Sequence, residues 1–293
     1  MKKNLPLILI GLILTAGIGI FLYPTASDIL SRITSTTVIK EYQGQVEKTD
    51  EKEMEQMLAA AEEYNEKLPE KLTMDPFGTD SEDPSGKDAE YNSLLSINGV
   101  MGYVDIPKID VYLPVYHGTS EEVLQKGAGH LYGSALPVGG EGRHSVVSAH
   151  RGLPSAKLFT DLDQLEVGDV FYFHVLNRIL AYQIDQINVV EPDELEALDP
   201  QDGNDFMTLF TCTPYGINSH RMLLRGVRIP YEPTHISDMP MIAAAPPKEK
   251  AALPKWAVFY MAVGAAAAAG VIIAALTVRK KNKRKKKKEK REE

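Results

Sequence analysis

The sequence predicts a mainly β protein, with a closed antiparallel or mixed β-barrel between two apolar segments, one near each end of the chain. Short runs of alternating apolar side chains recur after residue 101, and turn residues separate them. Few stretches in this part have the three- and four-residue apolar spacing of a helix. Many short strands with few helices between them are typical of a closed barrel.

The first element is an apolar run over residues 5–23, which Lys2 and Lys3 precede. Such a run is either a signal peptide or an uncleaved membrane anchor. No clear A-x-A cleavage pattern follows, and the run is long for the apolar part of a signal peptide. We therefore assign residues 1–23 to an N-terminal signal anchor that crosses the membrane.

Residues 24–90 are predicted to form a helical segment and a loop outside the membrane. A helix is expected over residues 41–68, and its apolar stripe comprises Met54, Leu58, Ala61, Tyr64 and Leu68. Pro69 marks the end of this helix. Residues 73–95 are rich in Pro, Gly, Ser and Asp and predict a loop, in which a tight turn displays Phe77.

The strands follow within residues 91–232, the predicted catalytic barrel. Alternation predicts one strand through Ile109, Val111, Leu113 and Val115. Residues 169–190 predict two strands around a turn, and "DFMTLFTCT" and "RMLLRGVRI" predict two more.

The C-terminal part predicts a linker, a second membrane span and a cytoplasmic tail. Residues 233–254 form a proline-rich extended linker. Residues 255–278 are long and apolar enough to cross a bilayer. Residues 279–293 contain eleven basic and three acidic residues, and basic residues just after a span mark the cytoplasmic side. Both termini are then cytoplasmic, and the barrel lies on the extracellular face.

The charge distribution argues against nucleic-acid binding. The chain has a net charge of −8 although its tail is strongly basic, so the remainder is acidic. Because the basic tail directly follows a predicted span, we expect it to contact membrane lipid headgroups. Membrane lipid is therefore an expected partner, and nucleic acid is not.

Cys212 is the only cysteine of the chain, so it has no intramolecular disulfide partner. It is either a buried inert thiol or a nucleophile, and a nucleophile needs a neighbouring base or positive charge. The base could be any of seven histidines: His117, His130, His144, His150, His174, His220 and His235. His150 is favoured because it follows a strand-like run and precedes a turn, where catalytic groups tend to lie.

Arg221 is the expected cationic partner of Cys212. It begins the strand after the short "PYGINSH" loop, so the loop should bring the two residues together. A fixed guanidinium can stabilise the oxyanion of an acyl transfer. Arg225 and Arg228 are alternatives farther along the strand. Thr211 either supports the oxyanion or packs within its strand. No cluster has metal-ligand spacing, so we expect neither metal nor cofactor.

At these residues the sequence resembles the sortases, a family of cysteine transpeptidases. "TLFTC", "SAHRG" and "HRMLLRG" are similar to the blocks around the family's catalytic Cys, His and Arg. The resemblance covers residues 91–229 and is strongest to class C, the pilus-assembling sortases. It implies an eight-stranded sortase β-barrel with short helices. It also implies that Cys212 attacks an LPXTG-like sorting signal of a pilin subunit, and that a pilin lysine releases the acyl group.

The resemblance also implies a lid. Class C sortases carry an Asp-Pro-aromatic motif before the barrel, which here is Asp75, Pro76 and Phe77. Asp75 is then expected to pair with Arg221, and Phe77 to cover Cys212. Many relatives have Trp in place of Phe, and a second span is usual in the class. The alternatives are a housekeeping sortase that attaches proteins to cell-wall peptide, a membrane-anchored cysteine protease, and a tethered adhesion or scaffold module.

Overall fold

The computed structural model describes residues 5–69, 75–78 and 83–231. The predicted linker, second span and basic tail therefore lie outside the described residues. The barrel belongs to a compact unit that begins at Asp28.

The chain begins with a long helix, α1 (Leu5–Val46). From residue 11 onward this helix is long and apolar enough to cross a membrane, and none of its most apolar window is buried. Its last turns behave differently, because Ile39, Tyr42 and Val46 are buried in the core of the barrel unit. The Tyr42 hydroxyl donates to the carbonyl of Met101 at 3.3 Å.

The single helix predicted over residues 41–68 is wrong, because the chain breaks after α1 and begins again as α2 (Glu51–Glu66). Asp50 causes the new start, since its extended backbone and its carboxylate cap the helix by accepting the Lys52 backbone N–H at 2.9 Å. The buried face of α2 contains Met54, Leu58 and Ala61, which agrees with the predicted stripe.

Eight strands form a closed barrel in the order β1-β2-β3-β4-β7-β8-β6-β5. Their bounds are β1 (Val100–Ile106), β2 (Val111–His117), β3 (Ala128–His130), β4 (Arg143–Ser148), β5 (Val170–Val175), β6 (Arg178–Val190), β7 (Asp205–Thr213) and β8 (His220–Ile229). The β2–β3 and β4–β7 pairs are parallel, and the other pairs are antiparallel. The predicted mixed β-barrel is therefore confirmed.

Short helices occupy the connections. They are α3 (Ala89–Ser93), α4 (Glu121–Leu124), and 3-10 helices at Pro84–Lys87, Pro107–Ile109, Leu162–Gln164 and Glu196–Leu198. The expected strand through Ile109 is shorter than predicted, because Pro107 starts a 3-10 turn and Asp110 has the left-handed backbone that ends it. β2 therefore begins only at Val111.

Inside the barrel, apolar side chains from several strands form one core. It includes Phe171, Phe173, Leu209 and Leu224, all buried. Gly102 is required where β1 crosses this core, because a Cβ there would lie 2.3 Å from the backbone oxygen of His174. Close packing of this kind holds the strand ends in fixed positions.

Candidate active site

Cys212 and Arg221 lie directly opposite each other on neighbouring strands. β7 and β8 are antiparallel, and the Cα atoms of these two residues are partners in the ladder. The short loop between the strands thus places the guanidinium-bearing residue beside the thiol, as expected. Both residues are buried, each with 6% of its surface exposed.

His150 follows the end of β4, the strand on the other side of β7. Ser148 is paired with Phe210, and the Ala149 N–H donates to the Phe210 carbonyl at 3.2 Å. The Thr211 hydroxyl donates to the Ala149 carbonyl at 2.8 Å. These bonds hold Ala149, which precedes His150, against Thr211, which precedes Cys212. Thr211 thus has its hydroxyl engaged between the two strands.

The turn at residues 75–78 lies over these groups. The Asp75 carboxylate accepts the Phe77 N–H at 3.2 Å, and the Gly78 N–H donates to the Asp75 carbonyl at 3.2 Å. Phe77 stacks on Phe210 with ring centroids 5.8 Å apart, and its ring lies 5.6 Å from that of His150. The aromatic ring therefore packs directly against the histidine side of the site.

Asp75 binds the Arg221 guanidinium in a bidentate pair. Arg221 Nε lies 2.9 Å from Asp75 Oδ1, and Nη2 lies 2.5 Å from Oδ2. Arg221 Nη1 donates to the carbonyls of Asn218 and His220. The pair is shielded from water, with side-chain exposures of 7% and 12%. In this conformation the fork of Arg221 is occupied by Asp75 and is not free to bind a substrate carbonyl.

A cavity of about 450 Å³ joins these groups. Its lining includes six of the candidate residues, Asp75, Pro76, Phe77, His150, Cys212 and Arg221, and Thr211 is not among them. Two further carboxylates, of Asp83 and Glu121, also line it. Sequence reasoning did not find Asp83 and Glu121, because they lie in connections before β1 and between β2 and β3 and carry no distinctive local motif.

Burial raises the pKa of the Cys212 thiol to about 11. The Arg221 guanidinium opposes this rise, and the Asp75 carboxylate adds to it. With Asp75 in place the thiol is therefore protonated at neutral pH. Since the thiolate is the nucleophile, this arrangement holds Cys212 in an unreactive form.

The remaining described histidines have structural partners. Burial lowers the pKa of His130, His144 and His174 to about 4. His130 lies 2.8 Å from the Tyr91 hydroxyl, and His144 lies 2.7 Å from the Thr208 hydroxyl. His174 is half-buried and stacks on the ring of Tyr103.

His117 contacts the backbone oxygen of Leu94, and His220 contacts Glu191. His235 lies outside the described residues. Within the described part of the chain, His150 is the histidine that lines the cavity.

The alternative arginines point elsewhere. Arg225 forms a bidentate pair with Asp185, and Arg228 lies near Asp205. In the ranges that the structure describes, no three His, Cys, Asp or Glu side chains are grouped as ligands of one metal ion.

Comparison with known proteins agrees with this geometry. The sortase domain family matches residues 104–229. The sortase C structure of Streptococcus pneumoniae is 49% identical with a TM-score of 0.61, and the match covers 67% of this chain and 97% of that one. This chain belongs to the sortase family. A sortase C-1 from Actinomyces oris is 43% identical with a TM-score of 0.57, over 61% of this sortase and 99% of that chain.

Curated sortases of other kinds match over a shorter length. Sortase A of Streptococcus agalactiae is 31% identical over 39% of this chain and 47% of its own length. Sortase D of Bacillus subtilis is 30% identical over 44% of this chain and 63% of its own. The chain thus spans less than two-thirds of either curated relative. The nearly complete matches to sortase C structures assign this sortase to class C.

Proposed function

We propose that this sortase is a cysteine transpeptidase that polymerises pilus subunits. It cleaves an LPXTG-like sorting signal between Thr and Gly and transfers the acyl part to a lysine amine of another pilin. The observation that carries the proposal is the meeting of Cys212, His150 and Arg221 at one cavity. These residues come from three neighbouring strand ends of a rigid barrel.

In the first half-reaction the Cys212 thiol gives its proton to His150, and the resulting thiolate attacks the threonine carbonyl carbon. A C–S bond forms, the carbonyl oxygen becomes an oxyanion, and Arg221 stabilises that charge. The C–N bond to glycine then breaks, and protonated His150 gives its proton to the departing amine. The product is a thioacyl-enzyme on Cys212.

In the second half-reaction a lysine amine attacks the thioacyl carbon. His150 accepts a proton from the incoming nitrogen, a C–N bond forms and the C–S bond breaks. The two pilins are then joined by an isopeptide bond. Hydrolysis, the outcome of a protease, requires water to take the place of the lysine.

Asp75, Pro76 and Phe77 act as a lid in this proposal. In this conformation Asp75 accepts from Nε and Nη2 of Arg221, and the backbone carbonyls of Asn218 and His220 accept from Nη1. Arg221 is therefore not free to bind an oxyanion. Removing the Asp75 carboxylate from the site also removes a charge that raises the pKa of Cys212. Opening of the lid therefore frees the oxyanion-binding group and makes the thiolate easier to form.

We further propose that the enzyme is anchored in a Gram-positive cell membrane with its barrel outside. Helix α1 supplies an apolar segment long enough to cross the membrane. The proposed second span at 255–278 and the basic tail at 279–293 place both termini in the cytoplasm, with the tail against lipid headgroups. Protease added to intact protoplasts should digest the barrel and spare the tail, and loss of the tail would overturn this topology.

The comparisons favour a pilin substrate over cell-wall peptide. The similar sortase C structures are 41–49% identical and are covered almost completely, and one of them is described as pilus-related. The curated sortase A proteins are 29–31% identical over 47–62% of their lengths. A scaffold module, the alternative outside the enzymes, would keep its function in Cys212→Ala.

Intact mass spectrometry of the full-length protein in detergent, incubated with an LPXTG-type peptide, tests the proposal. We expect an adduct equal in mass to the acyl part of the peptide in Phe77→Ala, and its absence from Cys212→Ala. Stronger labelling in Phe77→Ala than in the wild type would support the lid. Absence of an adduct from every variant would refute the assignment of Cys212 as the nucleophile toward this signal.

A further inference from the structure

Glu121 lies at the rim of the active-site cavity, in the first turn of α4. Its carboxylate is oriented, because the Gln125 side-chain amide donates to Oε1 at 2.7 Å. The other oxygen, Oε2, lies 3.5 Å from His150 Nε2. The side chain is 68% exposed, so a molecule approaching from solvent reaches it directly.

Among the carboxylates described around this cavity, Glu121 is the one with an oxygen facing the proposed base. Asp75 is bound to Arg221. Asp83 is occupied by the backbone N–H groups of Ser85 and Thr119, at 2.9 and 2.7 Å. His150 Nε2 is buried and has no hydrogen-bond partner among the described residues. The separation of 3.5 Å is too long for a good hydrogen bond between the two side chains.

We propose that Glu121 binds the ammonium group of the acceptor lysine and delivers it to His150. This inference rests on the proposed transpeptidation and assigns its acceptor subsite. A lysine is protonated at neutral pH, since its pKa is about 10.4, and it arrives as a cation. His150 Nε2 is buried beside Phe77 in the closed form, so the lysine reaches it only when the lid opens. The 3.5 Å separation then allows an ammonium nitrogen to lie about 2.8 Å from both Glu121 Oε2 and His150 Nε2.

These groups account for every proton and every bond of the transfer step. The ammonium gives one proton to neutral His150, and the amine nitrogen attacks the thioacyl carbon. A C–N bond forms, the C–S bond breaks, and the second proton of the nitrogen ends on the Cys212 sulfur. His150 then releases its proton to water. Glu121 keeps its negative charge throughout and acts by attraction and orientation.

The test uses preformed thioacyl-enzyme of the full-length protein in detergent. Release of the acyl group is followed in single turnover with two acceptors, a lysine-containing peptide and hydroxylamine. Hydroxylamine is uncharged at neutral pH and gains nothing from a carboxylate. The variants are Glu121→Gln and a matched control, Glu122→Gln, whose carboxylate lies on the same helix and pairs with Lys126 just beyond the helix end.

In Glu121→Gln we expect the lysine peptide concentration for half-maximal rate to rise about fivefold, as the loss of one exposed ion pair allows. The concentration dependence for hydroxylamine should not change. Added salt should weaken lysine binding to the wild type and have little effect on Glu121→Gln, because salt screens exposed charges. Glu122→Gln should behave as the wild type with both acceptors.

Two results would overturn the inference. An equal loss with lysine and hydroxylamine would make Glu121 a residue that positions His150. An unchanged lysine dependence would exclude it from acceptor binding. Failure of every variant to form the thioacyl-enzyme is a separate result, because it refutes the proposed function itself and the subsite with it.

Discussion

The substitution Asp75→Asn tests how strongly the Asp75–Arg221 pair holds the lid closed. Asp75→Asn keeps the size of the side chain but removes its charge and one of its two acceptor oxygens. Hydrogen bonds to charged groups contribute about 1.5–3 kcal/mol each. The pair is almost fully shielded, with side-chain exposures of 7% and 12%, so solvent screening removes little of this contribution.

Loss of about 2 kcal/mol from the closed form would raise the fraction of open lid about thirtyfold. A second effect acts in the same direction. The Asp75 charge raises the pKa of Cys212, so its removal lowers that pKa and increases the thiolate fraction at neutral pH. We therefore expect Cys212 to react with iodoacetamide about thirtyfold faster, or more, in Asp75→Asn.

The assay is simple because Cys212 is the only thiol in the chain. Mass spectrometry of the intact protein gives the alkylation rate as a function of pH. Below the pKa of about 11 the wild-type rate should rise with pH, and the rise should begin at lower pH in Asp75→Asn. Asp185→Asn is the matched control, since Asp185 forms a bidentate pair with Arg225 and neither residue lines the cavity.

One result would refute this reasoning. If Asp75→Asn labels no faster than Asp185→Asn at any pH, the Asp75 carboxylate neither holds the lid nor affects the thiol. If the rate rises but its pH dependence does not change, the lid blocks access to Cys212 sterically, and the Asp75 charge does not affect the pKa of the thiol.

Three further predictions concern residues around the site. Arg221→Lys should lower the rate of thioacyl formation roughly hundredfold, because an ammonium cannot replace the planar fork, and a near-normal rate would transfer the role to another residue. Thr211→Val should lower the free energy of unfolding by about 1–2 kcal/mol in urea, since it removes the bond to the Ala149 carbonyl, and Thr211→Ser should restore it. Gly118→Ala should lower the Tm, because the φ of Gly118 is +73° and the added Cβ would lie 2.1 Å from Ser85 Oγ. The control Gly86→Ala should lower the Tm less, because its Cβ would have no atom within 4 Å.

The order of strands in the barrel is not encoded locally. Alternating side chains indicate where strands such as β5 and β6 lie, because each residue of a strand faces one side of the sheet. They do not indicate that β4 pairs with β7, which is distant along the chain. That parallel pairing places the residue before His150 beside Thr211, 62 positions later in the sequence. Without the family resemblance, only its position after a strand-like run and before a turn favoured His150 among the seven histidines.

The sequence predicted the apolar face of α2 correctly but not where the helices begin and end. The apolar stripe of α2 was visible because helical spacing repeats within a few residues. The break after Val46 was missed, since its cause is a single capping residue, Asp50, within an otherwise helix-compatible stretch. The burial of Ile39 and Tyr42 depends on the barrel surface, which no local pattern contains.

The sequence by itself determined the class of the fold, the one available thiol and the arginine beside it. These features depend on short-range periodicity, on composition and on a short loop between adjacent strands. Only the tertiary structure decided how Asp75 engages Arg221 and which carboxylate faces His150. Those contacts join segments far apart in the chain, and closure of the barrel fixes their distances through packing that no local sequence pattern specifies.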